Sequence, residues 1–153
     1  MPAEYEIVIA DTSCFILLDK IGELDLLRSL FGEVVTTDVI AREFGTTLPG
    51  WVIIRSTKNT YLPFTLDLDP GEASAITLAL ESGPSLLILD DGKGRKAAQR
   101  LGLNITGSLG IFLKAKNAGI IPAVKSVVEK VQQTNFRYTQ AVLEEILSLA
   151  GEL

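Results

Sequence analysis

Two apolar runs in this chain break off at aspartate, and text of helical period follows each one. Tyr5 to Ala10 (YEIVIA) is short, β-branched and nearly continuous, and it ends at Asp11. Leu86 to Leu89 (LLIL) ends in Asp90-Asp91. Continuous apolar runs of this length read as strands buried on both faces. Strands that alternate with helices imply crossover units and a mainly parallel sheet, so the expected fold class is α/β, a three-layer α/β/α sandwich. Ligands of such sheets gather outside the carboxyl ends of the strands, above all where strand order reverses. Asp11 and the Asp90-Asp91 pair both stand at such ends, and adjacency of their strands would bring them together.

The rest of the chain fits this alternation. After Asp11, Phe15, Leu18 and Ile21 share a helical face with Gly22 as a stop, and Leu24, Leu27 and Leu30 to Phe31 repeat the pattern up to Gly32. Glu33 to Thr36 reads as a strand, Thr37 to Phe44 as a short helix capped by Thr37, and Trp51 to Arg55 as a further strand. Ser56 to Leu68 has no regular pattern. Asp69-Pro70-Gly71-Glu72 opens a helix running to about Ser82, with Asp69 as N-cap, Pro70 at the first position and Glu72 at N3. A basic helix follows from Gly92 to Leu101, then a strand from Leu103 to Thr106 and a helix from Ser108 to Ala118. Pro122 starts another helix, and Thr139 caps a last one with Val142, Leu143, Ile146, Leu147 and Ala150 on its apolar face.

Composition narrows the chemistry. The 153 residues contain no histidine and one cysteine, Cys14. Histidine triads, imidazole metal sites, disulfides and thiolate zinc clusters are thereby excluded. What remains is carboxylate, hydroxyl, lysine and arginine, a set that suits hard cations such as magnesium or manganese. No apolar run approaches a membrane span, no secretory signal is expected at the N-terminus, and the expected address is a reducing cytoplasm. The net charge of −5 is unevenly spread. Residues 1–91 hold 15 acids and 5 bases, while residues 92–153 hold 4 acids and 9 bases. An acidic half can hold cations while a basic half steers a polyanion.

Each acid has an ordinary structural reading. Asp11 could cap the helix after it, and Glu72 could complete a capping box begun by Asp69. Glu43, in VIAREFG, could simply be solvated. One of Asp90 and Asp91 could cap the basic helix, and the second is then left over. Taken together, four distant segments each deliver a carboxylate to an element end or a short helix. Such a cluster repels itself, and a divalent cation removes that cost while supporting phosphodiester hydrolysis.

The text IVIADTS, VTTDVIAREFG, LDPGEASAITLALE, LLILDDGKGRKAAQRLGL and ITGSLGIFLKAKNAGII, in this order over roughly residues 5–120, resembles the PIN-domain proteins. The best-known members are VapC-type toxins of toxin–antitoxin pairs, and the last three pieces look like a subgroup described as nucleic-acid-binding. The resemblance implies a single PIN-like domain over 1–153, with 122–153 as a C-terminal helical extension. It implies a Mg2+- or Mn2+-dependent ribonuclease whose acids fall on Asp11, Glu43, Glu72 and Asp90 or Asp91, with Asp11, Glu72, Asp90 and Asp91 as metal ligands. The family hydroxyl beside the first acid falls on Ser13. A later acid common in the family is absent, and Thr106 and Ser108 stand in its place.

Lys93, Arg95, Lys96 and Arg100 follow the acid pair on one helix and are candidates for a phosphate track on RNA. The aromatics, Tyr61 and Phe64 among them, are scattered and offer no stacking platform. A mean hydropathy of +0.32 and apolar helices at 15–21 and 23–31 imply a second covering surface, so a homodimer with a protein antitoxin is expected. The final helix folding back is the other way to cover them. A catalytically weak RNA- or partner-binding module of the same fold is the alternative function. A phosphoryl-transfer or receiver-type protein is a third, disfavoured because Thr-Ser follows Asp11 and the acid pair comes late in the chain.

Overall fold

The computed structural model describes residue 5, residues 7–60 and residues 62–153, the Phe64 side chain excepted. Glu6 of the expected first strand, and Tyr61, lie outside the described residues. Five parallel strands form one sheet: β1 (Ile7–Ala10), β2 (Val34–Thr37), β3 (Val52–Arg55), β4 (Ser85–Ile88) and β5 (Asn104–Thr106). Their order is β3-β2-β1-β4-β5. The chain winds outward from β1 to β3, returns to β4 beside β1, and winds outward the other way. Strand order therefore reverses between β1 and β4, the two most apolar strands, and their adjacency is the condition under which Asp11 and the Asp90-Asp91 pair come together.

Nine helices are described: α1 (Thr12–Lys20), α2 (Asp25–Phe31), α3 (Asp38–Phe44), α4 (Leu62–Thr65), α5 (Pro70–Glu81), α6 (Gly92–Arg100), α7 (Ser108–Asn117), α8 (Val124–Gln132) and α9 (Gln140–Leu149). Most expected boundaries hold within two residues. The stretch 56–68, which has no periodicity, contains the single turn α4. No helix among the described residues is long and apolar enough to cross a membrane.

Three features of the packing position the acids. First, β1 and β4 run in register with Ala10 opposite Ile88, and the Asp11 N–H donates to the Ile88 carbonyl at 3.1 Å. Second, α5 is buried along almost its whole length, because its sequence GEASAITLA is built from small residues. Small side chains let it lie close to β1, β2 and β4, and Ser74 Oγ shares a 2.7 Å hydrogen bond with Thr37 Oγ1. Third, Phe15 and Phe44 meet edge to face with centroids 6.1 Å apart, which docks α3 on α1. Phe15 is fully buried, and truncation of such a side chain costs about 3–5 kcal/mol.

Much of the apolar surplus of α1 and α2 is covered within the chain. Cys14, Phe15, Leu17, Leu18, Leu26 and Leu27 are all buried. The region after α7 folds back toward these helices: Lys130 pairs with Glu23 at 2.8 Å, and Lys20 bonds Asn135 and lies over the Phe136 ring. The segment that reaches α1 and α2 is thus 130–136, whereas the final helix packs on α7 and α8, and Ile16, Leu24, Leu30 and Phe31 stay half-buried.

α8 begins at Val124, two residues after the expected Pro122, and its N-terminus is capped from a distance. The Glu152 carboxylate accepts from the Val124 and Lys125 N–H groups at 2.8 and 2.9 Å, and it pairs with Lys116 Nζ at 2.9 Å. These bonds hold its carboxyl down at about 2.

Candidate active site

All five sequence-derived acids lie at the carboxyl edge of the sheet, around the β1/β4 reversal. Asp11 stands at the N-cap position of α1, yet its side chain makes no capping bond to that helix. It is only 2% exposed. Burial is the main force pushing its carboxyl up to about 7, against the pull of the Thr12 N–H. The charges of Asp69, Glu43 and Asp90 add to the rise. An aspartate that caps nothing and is buried among like charges is poorly explained by stability alone.

Glu72 repeats the pattern. Asp69 does cap α5, accepting from the Glu72 N–H at 2.9 Å. The reciprocal bond of a capping box, from the Asp69 N–H to the Glu72 carboxylate, is not made. The Glu72 carboxyl instead faces α6, where a Cβ on Gly94 would stand 3.1 Å from its Oε2. Burial raises it to about 8, helped by the hydrogen bond and charge of Asp69 and by Asp91 and Asp11.

Glu43 is exposed and anchored. Thr12 Oγ1 donates to its Oε2 at 2.7 Å, linking α3 to the residue beside Asp11. Its carboxylate lies against Gly71, where a Cβ would sit 2.8 Å from the carboxyl carbon. Gly71 and Gly94 thus clear space for one acid each.

Asp90 and Asp91, read in the sequence as one cap and one surplus acid, serve two different helices. Asp91 caps α6, accepting from the Gly94 N–H at 3.0 Å. Asp90 holds the start of α7, accepting from the Ser108 N–H at 2.8 Å and from Ser108 Oγ at 2.6 Å. Ser108 is fully buried, so it supports Asp90 from beneath the surface. Ser13, where the family hydroxyl falls, makes no side-chain hydrogen bond to Asp11 among the described residues, while the neighbouring Thr12 bonds Glu43.

The basic helix divides into two pairs. Arg95 folds inward to the Leu89 carbonyl at 2.9 Å, and exposed Lys93 reaches Asp67 at 3.4 Å. Lys96 and Arg100 are exposed and without an ion pair among the described residues. They remain available for phosphate.

Sequence reasoning missed several participants. Asp69 registered only as a cap, Thr12 only beside Asp11, and Gly71 and Gly94 not at all. The signal for the glycines was present, since each occurs at the start of a helix that carries a candidate acid. Tyr138, from the segment before α9, is one of the scattered aromatics, and its hydroxyl is pushed up chiefly by burial and also by the charge of Asp90.

An open cleft of about 360 Å³ is lined by Asp67, Asp69, Glu72, Asp91 and Lys93. Among the described residues, no three acids or cysteines are gathered closely enough to form a ready-made metal cage. The donors themselves are all oxygen, and two are carboxyls whose charged forms are penalised. That chemistry suits Mg2+, which commonly takes one or two carboxylates and fills its shell with water and substrate phosphate.

No curated protein matches the chain. A family model described as a PIN domain matches residues 7–152, almost the whole chain. The all-parallel sheet and acid-lined carboxyl edge thus have a family to account for them: the chain belongs to the PIN-domain family, whose members are generally nucleases.

Proposed function

We propose that the protein is a Mg2+- or Mn2+-dependent endoribonuclease acting in the cytoplasm as the toxin of a toxin–antitoxin pair. The observation that carries this reading is Asp11. It is buried at the strand-order reversal, caps nothing, and has its carboxyl pushed up to about 7 beside other acids. Asp11 and Glu72 would hold the cation, with Asp90 and Asp91 completing the set. A bound divalent ion supplies an activated water and neutralises charge on the phosphate oxygens. The chain's own residues do the positioning. Thr12 fixes the Glu43 carboxylate beside this site, where it can accept a proton from the attacking water. Ser108 fixes Asp90 by two bonds. Lys96 and Arg100 bind the flanking phosphates as the RNA crosses α6. A homodimer and an inhibitory protein partner belong to the same reading, and light scattering tests the first.

The test is cleavage of end-labelled RNA by wild type and by Asp11→Asn, with manganese or with EDTA. Cleavage that needs both the metal and Asp11 is expected. Cleavage that survives chelation contradicts the mechanism.

A second reading, a PIN-fold RNA-binding module with little catalysis, is favoured by one observation: Asp90 and Asp91 are both already occupied as helix caps. RNA retention without cleavage in manganese would select it.

A further inference from the structure

A second cavity, of about 560 Å³, adjoins the acidic cleft. Asp67 and Leu68 line both, so the two are neighbours that share a wall. Its walls combine apolar Val39, Pro63, Leu68 and Pro70 with four serine and threonine hydroxyls, and its volume falls within the roughly 300–1,000 Å³ of small-molecule sites. Among the described residues no lysine or arginine lines it, while two carboxylates, Asp38 and Asp67, do. That charge repels a phosphate and favours a neutral group rich in hydrogen-bond donors. Both acids are engaged only in exposed ion pairs, Asp38 with Arg42 at 3.5 Å and Asp67 with Lys93 at 3.4 Å. Such pairs hold their carboxylates weakly. Asp67 is also the one non-glycine among the described residues with a left-handed backbone, at φ 53°. A conformation of this kind costs free energy and clusters at ligand clamps.

We propose that this cavity is a base-recognition pocket that takes an unpaired guanine of the substrate strand. The inference rests on the ribonuclease reading for its biological sense, but its chemistry is independent of cleavage. An ionised carboxylate only accepts hydrogen bonds. Guanine offers two adjacent donors on one edge, N1–H and the N2 amine, which match a carboxylate's two oxygens. Adenine and cytosine present one amine beside a ring acceptor that faces the carboxylate unfavourably. Uracil presents a single N3–H between two carbonyls. The apolar walls pack against the ring faces, as apolar side chains do around an extruded base.

The test uses nucleosides, which carry no phosphate, titrated in EDTA into the intact chain and followed by amide chemical shifts. Guanosine should saturate and perturb residues around Val39 and Asp67. Inosine, which lacks the N2 amine, should bind about tenfold more weakly, and uridine should not saturate. Asp67→Asn, at an exposed position whose backbone asparagine tolerates, should weaken guanosine about tenfold. Val39→Trp, which fills the cavity, should abolish binding. Equal binding of guanosine and uridine, no saturation by any nucleoside, or guanosine affinity unchanged in Asp67→Asn would each overturn the proposal. Guanosine binding without RNA cleavage in manganese would leave this pocket standing and remove the ribonuclease. Metal-dependent cleavage without guanosine binding would do the reverse.

Discussion

Two glutamates sit near helix N-termini in this molecule and are driven in opposite directions. Glu152 satisfies two N–H groups of α8, pairs with Lys116, and has its carboxyl held down at about 2. Glu72 occupies the first turn of α5, faces Asp69, Asp91 and Asp11, and is pushed up to about 8. A helix N-terminus favours negative charge in both cases. The outcome is decided by what else is present: the Lys116 ammonium and two backbone N–H donors for Glu152, burial and other acids for Glu72. The C-terminal region uses its acid to hold the fold together. The β1/β4 edge keeps like charges close in a way that opposes stability, a pattern typical of sites built for a ligand.

The sharpest way to break this contrast is to remove one of the crowded acids. Asp11→Asn should lower metal-dependent RNA cleavage by about a thousandfold or more, the loss expected when a metal ligand is removed. The same variant should melt higher than wild type at pH 8 in EDTA, because an unfavourable buried charge is gone. If it unfolds instead, Asp11 is a structural element.

The two regions should also respond oppositely to pH. Asp11 and Glu72 have raised folded-state values, about 7 and about 8. Between roughly pH 4 and pH 8 the folded state binds more protons than the unfolded state, so metal-free stability falls as pH rises through that window. Glu152 has a lowered value, about 2. Its contribution is complete above the unfolded value of about 4.3 and is lost as pH falls toward 2. Urea denaturation in EDTA should therefore place maximum stability near pH 4–5. A flat profile from pH 5 to pH 8 would refute the crowding of the acids.

Glu152→Ala should cost about 1–2 kcal/mol, as loss of a helix cap does, and lower Tm by about 2–4 °C per kcal/mol. RNA cleavage by the folded variant should stay within about twofold of wild type. A large loss of activity would join the two regions that the contrast separates.

Gly71→Ala sharpens the account of Glu43. The added methyl meets the end of a flexible side chain, so the cost in stability should stay below about 1 kcal/mol. The carboxylate must leave Thr12, however, and cleavage should fall about tenfold. The smallest effect is expected at Lys96→Glu and Arg100→Glu, which should weaken RNA binding severalfold and flatten its salt dependence without changing metal affinity.

Much of this was legible in the sequence because it depends on local chemistry. The strands ending at Asp11 and Asp90, the Thr37, Asp69 and Thr139 caps, and the meeting of acids at the sheet's carboxyl edge all follow from period, capping residues and the parallel-sheet rule. What escaped depends on contacts between distant segments. The Thr12–Glu43 bond spans 31 residues, the Asp90–Ser108 pair spans 18, and the Glu152 clamp on α8 spans 28. None has a periodic signal, so Asp90 looked like a spare acid and Glu152 carried no signal at all. The partial cover of α1 and α2 escaped for the same reason, since it comes from residues about a hundred positions away.

The central claim is that the β1/β4 acids hold excess protons that a divalent cation displaces. Titration calorimetry of manganese into the protein at pH 7, in two buffers of different ionisation enthalpy, measures this directly. The account predicts saturable binding with net proton release, and loss of that release in Asp11→Asn. Absence of binding, or binding that releases no protons, would contradict it.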